Sequence, residues 1–184
     1  MSYGEIDYTG SGIRNGIPTI PEMYDEREYD MKQYVHEITR AERHERWPHI
    51  DLSAFSAIRK DALERMRLDA MNTLESMVAD AKSLYGWKFV VNSGFRDGDT
   101  GQHGKGCAID GVFIGSDGEP VPLIQQYCFA LLYPWGGVGI YPHWIKPGIH
   151  VDNRPREPRV ATWCLSADGE YENVIHYLKG VVAS

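Results

Sequence analysis

The run His103-Gly104-Lys105-Gly106-Cys107-Ala108-Ile109-Asp110-Gly111-Val112-Phe113-Ile114 passes from a glycine-rich loop into a strand-like segment. Glycines at 104 and 106 remove side chains where the backbone must pass close to something. From Cys107 onward the apolar density and flanking turn residues predict a strand. Asp110 is a carboxylate inside that otherwise apolar run. Such a charge is costly to bury unless it is paired, hydrogen-bonded or bound to a cation.

Outward from this run, Trp87 to Asn92 reads as a second strand, and Ser116-Asp117-Gly118 as a turn. A short buried helix is expected over 123–133, with further strands over 139–141, 148–152 and 160–165. A last helix is expected over 169–182, with Tyr171, Val174, Ile175 and Leu178 on its inner face. Before Gly86 the pattern is helical. Phe55, Ile58, Ala62, Met66, Ala70, Leu74, Met77, Ala81 and Leu84 recur at steps of three or four. They predict one long amphipathic helix, capped by Asp51 or Ser53 and stopped by Gly86. A charged helix is expected from Pro21 to about Trp47, preceded by a polar, glycine-rich arm over 1–20. Within it His36-Glu37-Ile38-Thr39-Arg40 approaches a metalloprotease HExxH helix, but Arg40 replaces the second ligand and the motif is rejected. Helices followed by a small, mostly antiparallel sheet define an α+β domain. Its boundaries are expected at 51–184, with the arm and charged helix at 1–50.

Of the 184 residues, 42% are hydrophobic and 24% charged, as in a globular protein. The net charge is -7 and no Lys/Arg block stands out, which argues against nucleic-acid or anionic-membrane partners. No stretch approaches the roughly 20 apolar residues of a membrane span. The N-terminus lacks the basic start and apolar core of a signal peptide, so a cytoplasmic protein is expected as made. Cys107, Cys128 and Cys164 are odd in number and widely spaced, and are read as reduced, buried small hydrophobes away from any metal.

Three histidines fall in the strand-and-turn half: His103, His143 and His150. His150 lies in Gly148-Ile149-His150-Val151-Asp152, where strand alternation points His150 and Asp152 to the same face. Two imidazoles, a carboxylate and an open fourth position make an established hydrolytic zinc arrangement.

His103-x-x-Gly106-x-Ala108-x-Asp110, followed by a strand bearing His150, resembles the zinc D-alanyl-D-alanine carboxypeptidase and L-alanyl-D-glutamate peptidase family. Ser93-Gly94-Phe95-Arg96 looks like that family's Ser-Gly-Tyr-Arg segment. Gly139-Ile140-Tyr141-Pro142 and His150-Val151-Asp152 look like one branch of it. The resemblance covers roughly residues 50–165. It implies the Hedgehog/DD-peptidase fold, Zn2+ held by His103, Asp110 and His150, and a peptidoglycan stem peptide as substrate. Arg96 would hold a substrate carboxylate or stabilise an oxyanion. Two positions depart from the family. Gly101 stands where a serine is usual, and Pro147 where many members carry the Asp or Glu that acts as general base. Asp152 then becomes the candidate base, or else a partner that orients a ligand histidine. Asp97, Asp99 and His143 are reserves. The context implies a phage or phage-like origin, with virion association or release at lysis, and a phage or tail partner for the arm. A catalytically silent zinc module is the alternative.

Overall fold

The computed structural model describes residues 33–156 and 159–182. The arm over 1–20 and the first part of the charged helix lie outside the described residues. The described residues form an α+β unit with a six-stranded mixed sheet flanked by helices.

The charged helix is not continuous. A 3-10 turn at Val35–Glu37 is followed by extended Ile38, and helix α1 spans Arg40–Arg46. Thr39 starts α1 by accepting from the Glu42 N–H, while the Glu42 carboxylate accepts from Thr39 N. This segment belongs to the domain core: Val35, Ile38, Trp47 and Ile50 are buried in it. The domain therefore starts before the expected boundary at residue 51.

The predicted long helix is two helices, α2 at Leu52–Ile58 and α3 at Leu68–Tyr85. Asp51 caps α2 through the Ser53 N–H, as expected. The break has a cause outside the helix. Arg67 N–H donates to Gly106 O and Leu68 N–H to Gln33 O, so both donors leave the helical ladder for other segments. The apolar stripe survives across the break, with Phe55, Ala62, Met66, Ala70, Leu74, Met77 and Ala81 all buried. Ile58 and Leu84 are exposed instead. Gly86 ends α3 in the left-handed region at φ +69°.

Six strands form the sheet: β1 Lys88–Ser93, β2 Ala108–Ile114, β3 Gly137–Tyr141, β4 Gly148–Asp152, β5 Ala161–Leu165 and β6 Tyr171–Glu172. Their order is β1-β2-β4-β3-β5-β6. All pairs are antiparallel except β3 with β5. Helix α4, Leu123–Ala130, precedes β3, and α5, Val174–Val182, ends the described chain. The expected start of the last helix is thus a short strand, with Tyr171 and Ile175 exposed and Val174 alone fully buried.

Alternation separates the two faces of this sheet. Phe89, Val91, Ile109, Phe113, Val138, Ile140, Ile149, Val151 and Cys164 join the helices in one apolar core. Each fully buried aliphatic side chain there contributes roughly 1.5–3 kcal/mol of transfer free energy. Gln126 of α4 is the polar exception in that layer. It accepts from Phe113 N–H and donates to the carbonyls of Val121 and Pro147, so its burial is compensated. The opposite face carries Ser93, Asp110, His150 and Asp152, all buried and polar.

A candidate metal centre

Register places the polar face. Ser93 on β1 pairs with Asp110 on β2, Asp110 with His150 on β4, His150 with Gly139 on β3, and Gly139 with Trp163 on β5. These five residues form one row across the sheet. A bulge between Val91 and Ser93 shifts β1 so that Ser93 faces the row. Gly139 is required there: a Cβ would lie 2.4 Å from the Trp163 indole, which instead folds over the strand to 5.2 Å from the His150 ring.

His103 comes from the loop between β1 and β2. Arg96 N–H and Gly106 N–H both donate to His103 O, at 3.3 and 3.0 Å, so the loop closes around the histidine. Gly106 adopts φ +70°, and a Cβ on it would stand 2.1 Å from Arg65 O. Only glycine meets both demands. The loop therefore delivers His103 to the row with its side chain buried.

His103, Asp110 and His150 come together, with one candidate ligand atom from each within 4.8 Å of the others. His103 Nε2 lies 3.2 Å from His150 Nδ1 and 3.2 Å from Asp110 Oδ2, and His150 Nδ1 is 2.8 Å from Asp110 Oδ1. Tetrahedral ligands about 2.1 Å from a metal are separated by about 3.4 Å, so this triangle is close to one face of such a site.

The hydrogen bonds behind the triangle decide what it can accept. Gly94 O is only an acceptor, so His103 Nδ1–H donates to it at 2.6 Å and Nε2 is bare in the neutral ring. The Asp152 carboxylate likewise takes a proton donor from His150 Nε2 at 2.9 Å, leaving Nδ1 bare. Two lone pairs and a carboxylate thus converge in a buried spot, an arrangement that suits a cation. This group can hold a metal ion.

Without a metal, protons on the ring nitrogens take the cation's place. Burial would raise the Asp110 carboxyl, but His103 and His150, then donating to it, outweigh burial and hold Asp110 well below the usual carboxylate range. Asp152 is held low in the same way, with burial opposed by His150 and Arg154. Burial disfavours the charged His150 ring, yet Asp110 and Asp152 together push its pKa up.

Asp152 is fully buried, and both its oxygens are engaged by Arg154, through Nε at 2.8 and 3.0 Å and Nη2 at 2.7 Å. It approaches His150 from the Nε2 side, away from Nδ1 and the triangle. Of the two roles expected for Asp152, general base or partner of a ligand histidine, that geometry favours the second. Arg96 donates to Ser93 Oγ at 2.8 Å and to Asp110, next to the triangle, so it lies where an anionic group would meet it. Pro147 directs its carbonyl to Gln126. Asp97 pairs with Arg59 at 3.3 Å, and His143 is exposed in the loop before β4. Neither lines the site.

A cleft of about 380 Å3 opens over the group, lined by Arg96, Asp99, Gly101, Gln102, His103, Tyr141, His150, Arg154, Trp163 and Tyr171. Sequence reasoning does not assign Arg154, Trp163 or Tyr141 to the site. The signal present in the sequence is Gly137-x-Gly139, two glycines on one strand face, each making room for a bulky neighbour. Cys107, Cys128 and Cys164 are free, as expected; Cys128 is exposed rather than buried. Among the described residues, no helix is long and apolar enough to cross a membrane. Comparison with protein-family models, curated proteins and solved structures finds no match to this chain.

Proposed function

We propose that this protein is a zinc-dependent peptidase acting on peptidoglycan stem peptides, with a domain of the Hedgehog/DD-peptidase kind. The observation that carries the reading is the buried His103–Asp110–His150 triangle at the foot of an open cleft, with Gly94 O and Asp152 accepting from the ring nitrogens that face away from it. Zinc in such a site supplies a Lewis acid and lowers the pKa of water to near neutrality. The chain's own residues supply the rest. Arg96 is directed beside Asp110 and receives negative charge that develops on a bound carbonyl oxygen. Among the described residues, Asp99 is the one carboxylate lining the cleft, and it takes the proton-transfer role that Pro147 cannot fill. Trp163 and Tyr141 form an aromatic wall against which a peptide can lie.

The test is release of new amino and carboxyl ends from purified peptidoglycan, compared between the wild type and His103→Ala. The reading expects release by the wild type and none by the variant. Release by neither, with zinc bound, favours the second reading of a silent zinc module, such as a virion or tail component. Pro147 at the usual base position and the engagement of Asp152 by Arg154 are the observations on its side.

A further inference from the structure

Two guanidiniums face the cleft, one at each end of the row. Arg96 is fixed by Ser93 and Asp110 at the β1–β2 end. Arg154 is fixed at the other side, where Asp152 holds Nε and Nη2 and the Trp163 ring lies 4.8 Å beneath its carbon. The Arg154 side chain remains 34% exposed. In each case the Nη1 nitrogen has no partner among the described residues. A guanidinium clamped at two donors has little rotamer freedom left to lose, and its free edge is preorganised for an oxygen anion. Gly137 completes the arrangement: a Cβ there would meet Arg154 Nε at 2.8 Å and Asp152 Oδ2 at 2.6 Å. Asp110 and Asp152 lie beneath the guanidiniums and Asp99 is the one carboxylate among the residues lining the cleft, so the free Nη1 edges are the donors that a bound anion meets.

We infer that Arg154 is a second anion-recognition residue, and that the cleft takes a peptide with one carboxylate on each side of the bond at the metal group. The inference rests on the proposed function only in taking this cleft as the substrate site. Arg96 meets one carboxylate and Arg154 the other, while Trp163 both supports Arg154 and contacts the peptide's apolar side chain. Neutralising either carboxylate forfeits one charge-assisted hydrogen bond.

The experiment measures binding of four acetylated tripeptides by calorimetry and tryptophan fluorescence. The series is Glu-Ala-Ala or Gln-Ala-Ala, each with a free or amidated C-terminus, made with L- and with D-alanine and checked intact by mass spectrometry. The wild type is expected to bind the dicarboxylate tightest, and each neutralisation to weaken binding about 10-fold. In Arg154→Gln one of the two contrasts should fall below about 2-fold while the other persists. Arg154→Lys should be intermediate, since it keeps the charge without the fork. Zinc content and melting temperature are recorded for each variant, and if Arg154→Gln does not fold, the wild-type contrasts and Arg154→Lys decide. Equal affinities for the four peptides, no binding of any, or both contrasts surviving in Arg154→Gln would overturn the inference. Wall hydrolysis without charge discrimination defeats this inference alone; charge discrimination without hydrolysis defeats the peptidase reading alone.

Discussion

At the scale of single residues, two aspartates have separable roles. Asp152 keeps the proton on His150 Nε2 and is itself neutralised by Arg154. Asp152→Asn can still accept from Nε2 but loses the ion pair. Zinc affinity is expected to weaken roughly 10- to 100-fold while the metal-loaded fraction keeps its turnover, measured by competition with a chromophoric chelator. Turnover lost with zinc fully retained would instead make Asp152 the proton acceptor. Asp99 has the complementary signature. Asp99→Asn should retain zinc and substrate binding and lower kcat about 100-fold or more, with KM little changed. An unchanged kcat would remove Asp99 from the mechanism.

At the scale of elements, the loop 94–107 and strand β3 are held by close backbone approaches. Gly106→Ala forces a Cβ toward Arg65 O in a left-handed backbone conformation. It is expected to cost about 1–3 kcal/mol and to displace His103, lowering zinc affinity as well as the unfolding midpoint in urea. Full stability together with full zinc affinity in that variant would contradict the account of the loop. The same elements explain what is readable from sequence. Asp110 announces itself as a charge within an apolar strand, and His150 and Asp152 share a face by simple alternation. The left-handed stop at Gly86 and the Asp51 cap are local chemistry, and both are found. The break between α2 and α3 is invisible to periodicity, because the stripe keeps its phase while the Arg67 and Leu68 donors go to Gly106 and Gln33. Trp163 and Arg154 escape notice for a related reason. Trp163 reaches His150 only because β5 lies parallel to β3, a pairing set by topology rather than by local pattern, and Arg154, held by Asp152, lies over the Trp163 ring.

For the whole molecule, the metal group ties two strands and a loop together, so its occupancy governs stability. A ligand bound only by the folded state stabilises it by mass action, and chelation should lower the melting temperature by several degrees. The pH dependence of the chelated protein has a definite sign. The His150 pKa is raised in the fold, so its protonated form contributes stability that is fully present below the unfolded value of about 6.5 and lost as pH rises through the folded value. Asp110 and Asp152 are lowered, so their contribution is present above about 3.9 and lost as pH falls below it. The chelated protein is therefore expected to be most stable in mildly acidic solution. The zinc-loaded protein should gain on it steadily toward pH 8, as protons cease to compete for the ligands. Melting curves of both forms across pH 4–8 check this, and a gap that narrows with rising pH would contradict it.

The central claim is that a metal sits among His103 Nε2, Asp110 and His150 Nδ1. Anomalous diffraction from crystals of the zinc-loaded protein, recorded on both sides of the zinc absorption edge, tests it most directly. The account predicts one peak about 2.0–2.2 Å from those three atoms, with a fourth position open to the cleft. A protein that takes up no zinc, or a peak bound by other side chains, would contradict it.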